Sequence, residues 1–98
     1  MYTQTGHFPT SHASKYLQQL CKHFAHKVEV TFDTERGEVA FPFGRAELRA
    51  TDDALHATVC AQEAEVLVRA RAVIDSHLKT FAFREDFTEM TWDTPAQE

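Results

Sequence analysis

Residues 16–33 read YLQQLCKHFAHKVEVTFD, and the hydrophobic period changes within them. Up to Phe24 the apolar positions recur in steps of three and four: Ala13, Tyr16, Leu17, Leu20, Cys21 and Phe24. That spacing predicts a helix with one stripe against a core, and with Lys15, Gln18, Gln19 and Lys22 outside it. From Val28 the pattern alternates. Val28, Val30 and Phe32 point one way, and Glu29, Thr31 and Asp33 the other, as on a strand with one buried face. The chain thus passes from helix to sheet within a few residues.

Upstream, Pro9-Thr10-Ser11 opens the helix, with Thr10 or Ser11 as its N-cap. Residues 1–9 are expected to be loose. Downstream, Asp33 to Gly37 reads as a hairpin loop. A second strand follows with Val39, Phe41 and Phe43 on one face. Pro42 marks it as an edge strand or breaks it there, and Gly44 permits a bend. A third strand places Ala46, Leu48 and Ala50 inward and Glu47 and Arg49 outward. After the turn Thr51-Asp52-Asp53, a fourth strand places Leu55, Ala57 and Val59 inward and His56 and Thr58 outward. A second helix is predicted from about Glu63 to Phe81, with the stripe Val66, Leu67, Ala70, Val73, Ile74, Leu78 and Phe81. A short strand around Met90 and Trp92 closes the chain.

A sheet apolar on one face and polar on the other calls for helices on one side only. The expectation is an α+β fold of order α-β-β-β-β-α(-β): an antiparallel meander of four or five strands with two helices packed on one face. The 98 residues form a single domain, with a core over about 10–93 and residues 94–98 loose. Eight phenylalanines can fill much of so small a core.

Composition narrows the function classes. The net charge of −5 disfavours nonspecific nucleic-acid binding, which needs an excess of Lys and Arg. No apolar run approaches the length of a membrane span, and the first residues lack the apolar region of a secretory signal. Cys21 and Cys60 share no motif and read as buried thiols in a reducing compartment, so a cytoplasmic location is expected. There is no glycine-rich phosphate loop, no nucleophile signature and no CxxC, and no cofactor is expected.

The six histidines carry the candidate chemistry. On a helix His23 and His26 stand three apart and can present two imidazoles to one ion, while Lys22 and Lys27 beside them favour an anion. The alternative is structural, with both imidazoles on the last carbonyls of the helix. His77 falls inside the apolar stripe of the second helix. It reads either as a core histidine bonded within the fold or as a ligand or general base lining a pocket. Arg84 and Arg45 are possible anion contacts, with pairing to a neighbouring acid as the alternative.

The segments SHASKYLQQLCKHFAHK (11–27), FPFG (41–44) and SHLKTFAFRE (76–85), with Trp92, resemble a bacterial family known as "domain of unknown function 2218". The resemblance spans nearly the whole chain. It implies no established activity. It does imply an association with siderophore and iron-uptake functions, with a siderophore-interacting flavoprotein as a possible partner. Some members carry an aldolase label. Aldolases of that type resemble a (β/α)₈ barrel of about 250 residues, more than this chain supplies. Three readings follow. The first is a non-enzymatic accessory domain that holds an anionic or metal-chelating small molecule at His23, His26, His77 and Arg84, with Lys22 and Arg45 as further candidate contacts. The second is a small enzyme, a lyase, with a histidine base and an arginine anchor. The third is an interaction domain that pairs with another copy of itself.

Overall fold

The change of period at Val28 is the start of a four-strand meander; its last three strands follow the alternation of their sequences, while on the first, at the sheet edge, Phe32 is exposed. The computed structural model describes residues 1–97. Its meander consists of β2 (Glu29–Phe32), β3 (Arg36–Phe41), β4 (Gly44–Ala50) and β5 (Ala54–Ala61). The turns are set by particular side chains. Asp33 Oδ1 accepts the backbone N–H groups of Glu35 at 2.7 Å and Arg36 at 2.8 Å, and these bonds hold its carboxyl below the usual carboxylate range. Strand β3 ends at Phe41, so Pro42 lies in the turn and not in the ladder. Gly44 follows with φ +152°, where a Cβ would stand 2.2 Å from the carbonyl oxygen of Cys60. Only glycine fits there. The Thr51 hydroxyl receives the N–H groups of Asp53 and Ala54 and closes the last hairpin.

The first nine residues are not loose. Tyr2–Pro9 forms a strand, β1, that pairs antiparallel with β5 over its whole length, from Tyr2 opposite Ala61 to Pro9 opposite Ala54. On its other side β1 takes two short strands, β6 (Thr91–Trp92) and β7 (Ala96–Gln97). Among the described residues the sheet has seven strands in the order β2-β3-β4-β5-β1-β6, with β7 also on β1. The element order therefore begins with a strand, and the sheet is wider than the expected four or five strands. Of the C-terminal residues expected to be loose, Ala96–Gln97 form β7, residues 94 and 95 belong to no strand, and residue 98 lies outside the described residues.

Both helices lie on one face, as the strand pattern requires. Helix α1 (Ala13–Phe24) buries Ala13, Tyr16, Leu17, Leu20, Cys21 and Phe24, the stripe read from the sequence. Helix α2 (Ala64–Phe81) buries Leu67, Ala70, Ile74 and Leu78, while Val66, Val73 and Phe81 sit at its margin. These side chains meet Val39, Ala46, Leu48, Leu55, Ala57 and Val59 from the sheet. Neither Thr10 nor Ser11 is the N-cap of α1; His12 is. Thr10 is buried instead, accepting the His12 N–H and donating its hydroxyl to Glu85 at 2.8 Å. Tyr16 donates to the same carboxylate, and burial with that bond pushes the phenol up to about 12. α1 ends at Phe24, so His26 lies in the turn beyond it.

The C-terminal strand is pinned from α2. Asp75 accepts the backbone N–H of Met90 at 2.9 Å and the indole N–H of Trp92 at 3.0 Å. Its carboxyl is raised by burial, an effect these bonds oppose. The Trp92 ring then lies flat on Gly6, where a Cβ would come within 2.8 Å of ring carbons. Trp92 cannot retreat without giving up its bond to Asp75. Gly6→Ala should therefore lower the unfolding free energy by about 1–3 kcal/mol, the usual cost of overpacking. A shifted urea midpoint with altered Trp92 emission is the expected readout.

Candidate functional site

Away from the helices, the sheet presents a bare polar face. Alternation sends Thr5 and His7 of β1, His56 and Thr58 of β5, Glu47 and Arg49 of β4, and Arg36 and Glu38 of β3 to that face. Register then sorts them into rows that run across the strands. His7 stands opposite His56, His56 opposite Arg49, and Arg49 opposite Arg36. The next row is Thr5, Thr58, Glu47 and Glu38. One row is basic and its neighbour is hydroxylic and acidic. The residues of both rows line a shallow concavity of about 400 Å³.

Within the basic row a hydrogen-bonded chain runs toward the edge of the sheet. Asp93 Oδ2 lies 3.0 Å from His7 Nε2, and His7 Nδ1 lies 2.7 Å from His56 Nδ1. Asp93 follows β6 directly, and its backbone N–H donates to the Thr5 carbonyl at 2.8 Å. A carboxylate only accepts, so His7 Nε2 carries the hydrogen. In the neutral pair His7 Nδ1 is then the acceptor and His56 Nδ1–H the donor. That leaves His56 Nε2 with a free lone pair. Burial lowers the His56 pKa below its ordinary value, and His7 and Arg49 add to the effect.

At the other end of the row, Arg36 and Arg49 oppose each other directly. Among the described residues neither makes an ion pair; the carboxylate of Glu38 is drawn instead to Arg45, at 3.9 Å. Glu38 and Glu47 likewise stand directly opposite each other. Like charges in register oppose sheet pairing by a few tenths of a kcal/mol, a cost that counter-charge brought from outside would relieve.

The residues singled out from the sequence divide among separate places. His23 and His77 do meet, with ring centroids 4.7 Å apart, beside Phe24 and Phe81. His77 Nδ1 donates to the Val73 carbonyl at 2.7 Å, which leaves Nε2 as its acceptor nitrogen. The His23 pKa is lowered by partial burial and by His77, His26 and Lys27. His26 and Lys22 are exposed near this end of α1. Arg84 is elsewhere, on the 3₁₀ turn Phe83–Glu85 and over the Phe83 ring. No hydrogen bond, ion pair or ring contact joins it to the histidines among the described residues. Arg45 belongs to the bare face. The described residues hold no group of three or more His, Cys, Asp or Glu fit for a metal. The Cys21 thiol is buried and pushed up to about 11, as expected of a core residue. No helix among the described residues is long and apolar enough to cross a membrane.

His7, Asp93, Arg36, Arg49 and His56 were not among the candidates. Alternation had marked His56 and Arg49 as outward, but their assembly into one row depends on register, and on a first strand that composition does not announce.

Two comparisons with known proteins bear on this chain. A family model described as an uncharacterised protein conserved in bacteria (DUF2218) matches residues 5–93. Among curated proteins nothing matches. The NMR structure of PA4090 from Pseudomonas aeruginosa is similar, at 31% identity and a TM-score of 0.79, over 95% of this chain and 96% of that one. The chain belongs to the family of domain of unknown function 2218.

The lowered His56 pKa has a consequence for stability. An imidazole that resists protonation in the fold binds protons more readily once unfolded. Its contribution is present above the unfolded value near 6.5 and is lost as pH falls through the lower folded value. Thermal midpoints should therefore decline from about pH 7 downward. His56→Asn should lose less stability than the parent chain over that interval, measured by thermal melts at matched ionic strength.

Proposed function

We propose that this member of the family is a non-enzymatic binding domain that takes a small anionic ligand on the bare face of its sheet, with Arg36 and Arg49 holding the charge. The observation that carries this reading is the direct opposition of the two arginines, both without an ion pair among the described residues, on the wall of a concavity. Two guanidinium groups on adjacent strands offer fork-shaped donors to an oxyanion, and a carboxylate, phosphate or sulfate group matches that geometry. His56 stands next in the row and extends the polar surface. Glu38 and Glu47 restrict the ligand's charge to the arginine end. A carboxylate or catecholate iron chelator presents suitable oxygens and, given the siderophore association that the family resemblance implies, is the first biological ligand to try.

Isothermal titration at low salt with sulfate, citrate, ferric citrate and 2,3-dihydroxybenzoate tests the proposal. At least one should bind tighter than millimolar. Arg36→Gln and Arg49→Gln should each weaken it about tenfold or more, the loss of a charge-assisted pair. Glu47→Gln should tighten it, and Arg84→Gln should leave it unchanged. Absence of binding, or binding indifferent to Arg36 and Arg49, overturns the proposal.

A second reading rests on the contact of His23 with His77, where the acceptor nitrogen of His77 is not used by the Val73 bond. In it, the helix end takes a metal chelate through the two imidazoles, with Lys22 and His26 nearby. Binding of ferric citrate that is abolished by His77→Ala and untouched by Arg49→Gln would favour this reading over the first.

A further inference from the structure

The bare face holds more than fixed charge, because its basic row ends in two imidazoles bonded to each other. Resting on the reading of that face as an anion site, we infer that the His7–His56 pair takes up one proton when an anion docks on Arg36 and Arg49, so that binding there is proton-coupled. The inference follows from which nitrogens can hold hydrogens. His7 Nε2 faces the Asp93 carboxylate and always carries one. The nitrogens 2.7 Å apart between the rings, His7 Nδ1 and His56 Nδ1, share a single hydrogen. Two N–H groups pointing at each other at that distance would repel. The intact pair therefore exists in only two protonation states.

In the neutral state the shared hydrogen belongs to His56 Nδ1, and His56 Nε2 is a bare acceptor. Its lone pair then repels an anion held by the neighbouring Arg49. In the singly protonated state the new hydrogen must sit on His56 Nε2, whichever ring owns the shared one. If it stays on His56, that ring is the cation. If it passes to His7 Nδ1, His7 is the cation and His56 is a neutral ring carrying only Nε2–H. Both arrangements turn the outer nitrogen of His56 from acceptor to donor, and both add one positive charge to the row. The proton comes from solvent, and no other bond changes.

The groups that face the pair act in both directions. Asp93, after β6, favours the cation. Arg49 of β4 and Arg36 of β3 disfavour it until an anion neutralises them. Glu47 and Glu38, one row away, carry the charge that favours it from a greater distance. The two guanidinium groups thus oppose protonation of the pair in the free protein, and a bound anion removes that opposition. The direction is fixed by linkage: a ligand that binds the protonated form better must raise the proton affinity of the pair, and acidification must raise affinity for the ligand.

Sulfate is the suitable probe because it takes up no proton itself between pH 5 and about 8. Nitrogen-15 NMR of the imidazoles reports the tautomers directly. At about pH 8 without sulfate, His56 Nε2 should be unprotonated and His7 Nε2 protonated. On acidification His56 Nε2 should gain its hydrogen in one step, and sulfate should move that step to higher pH. Isothermal titration at about pH 7 in buffers of different ionisation heat should show uptake above zero and not above one proton per sulfate. Affinity should rise by up to about tenfold per unit fall in pH. His56→Asn, which keeps both arginines, should bind sulfate with little dependence on pH. Sulfate that binds without proton uptake, or a His56 Nε2 already protonated at about pH 8, overturns the coupling and leaves the anion site standing. Sulfate that does not bind overturns both.

Discussion

The antiparallel pairing of Tyr2–Pro9 with Ala54–Ala61 is the constraint on which the rest depends. It joins the two ends of the chain to the meander. With β1 in place, the C-terminal segment has a strand to lie on, Gly6 has a tryptophan to accommodate, and His7 stands opposite His56. Without it, the meander would present β5 as an open edge, and the row of basic side chains would stop at His56. The pairing is secured from both sides of the sheet. Trp92, tied to Asp75 on α2, packs on one face, and Asp93 bonds His7 on the other.

Covering one face of the sheet with helices concentrates the chemistry on the other. The helix-facing side is closed by aliphatic and aromatic side chains, and its polar groups serve the fold: Asp75 holds Met90 and Trp92, and Glu85 holds Thr10 and Tyr16. The bare side also holds bonds that tie β1 to its neighbours, but at its far end it carries an arrangement that works against pairing. Arg36 faces Arg49 and Glu38 faces Glu47, where exchanging one arginine with one glutamate would give two favourable cross-strand pairs. The unfavourable register is explained if the face receives charge from a ligand, and the row structure then sets where that charge sits.

Much of the fold was legible in the residues. The stripe of α1 and the inward sets of β4 and β5 are mostly aliphatic and recur at helical or alternating spacing, so those faces could be read correctly; Phe43, expected on the face of Val39 and Phe41, lies instead in the turn after β3, and Phe32 is exposed on the edge strand β2. The second helix was placed to within one residue. The strand β1 escaped because its inward positions are Tyr2, Gln4, Gly6 and Phe8, and only two of these look like core. Gly6 is there to admit Trp92, a contact between residues 86 apart. The candidate site was less legible for the same reason. His23 and His77 could be suspected from helical faces, which are local properties. The row of His7, His56, Arg49 and Arg36 is a property of register among four strands, and register is settled by turns and pairing, not by the identity of the outward residues. Arg84 and Arg45 were named for what arginine can do, and they lie away from the histidine pair, on the 3₁₀ turn and on the opposite side of the sheet.

The central claim is that the bare sheet face, and not the helix end, receives the ligand. Backbone amide chemical shifts recorded by NMR during a sulfate titration test it residue by residue. The account predicts saturable shifts at Arg36, Arg49 and His56 and along β3, β4 and β5, with His23, His77 and Arg84 unmoved. Shifts confined to the helix end, or none that saturate at millimolar sulfate, would contradict it.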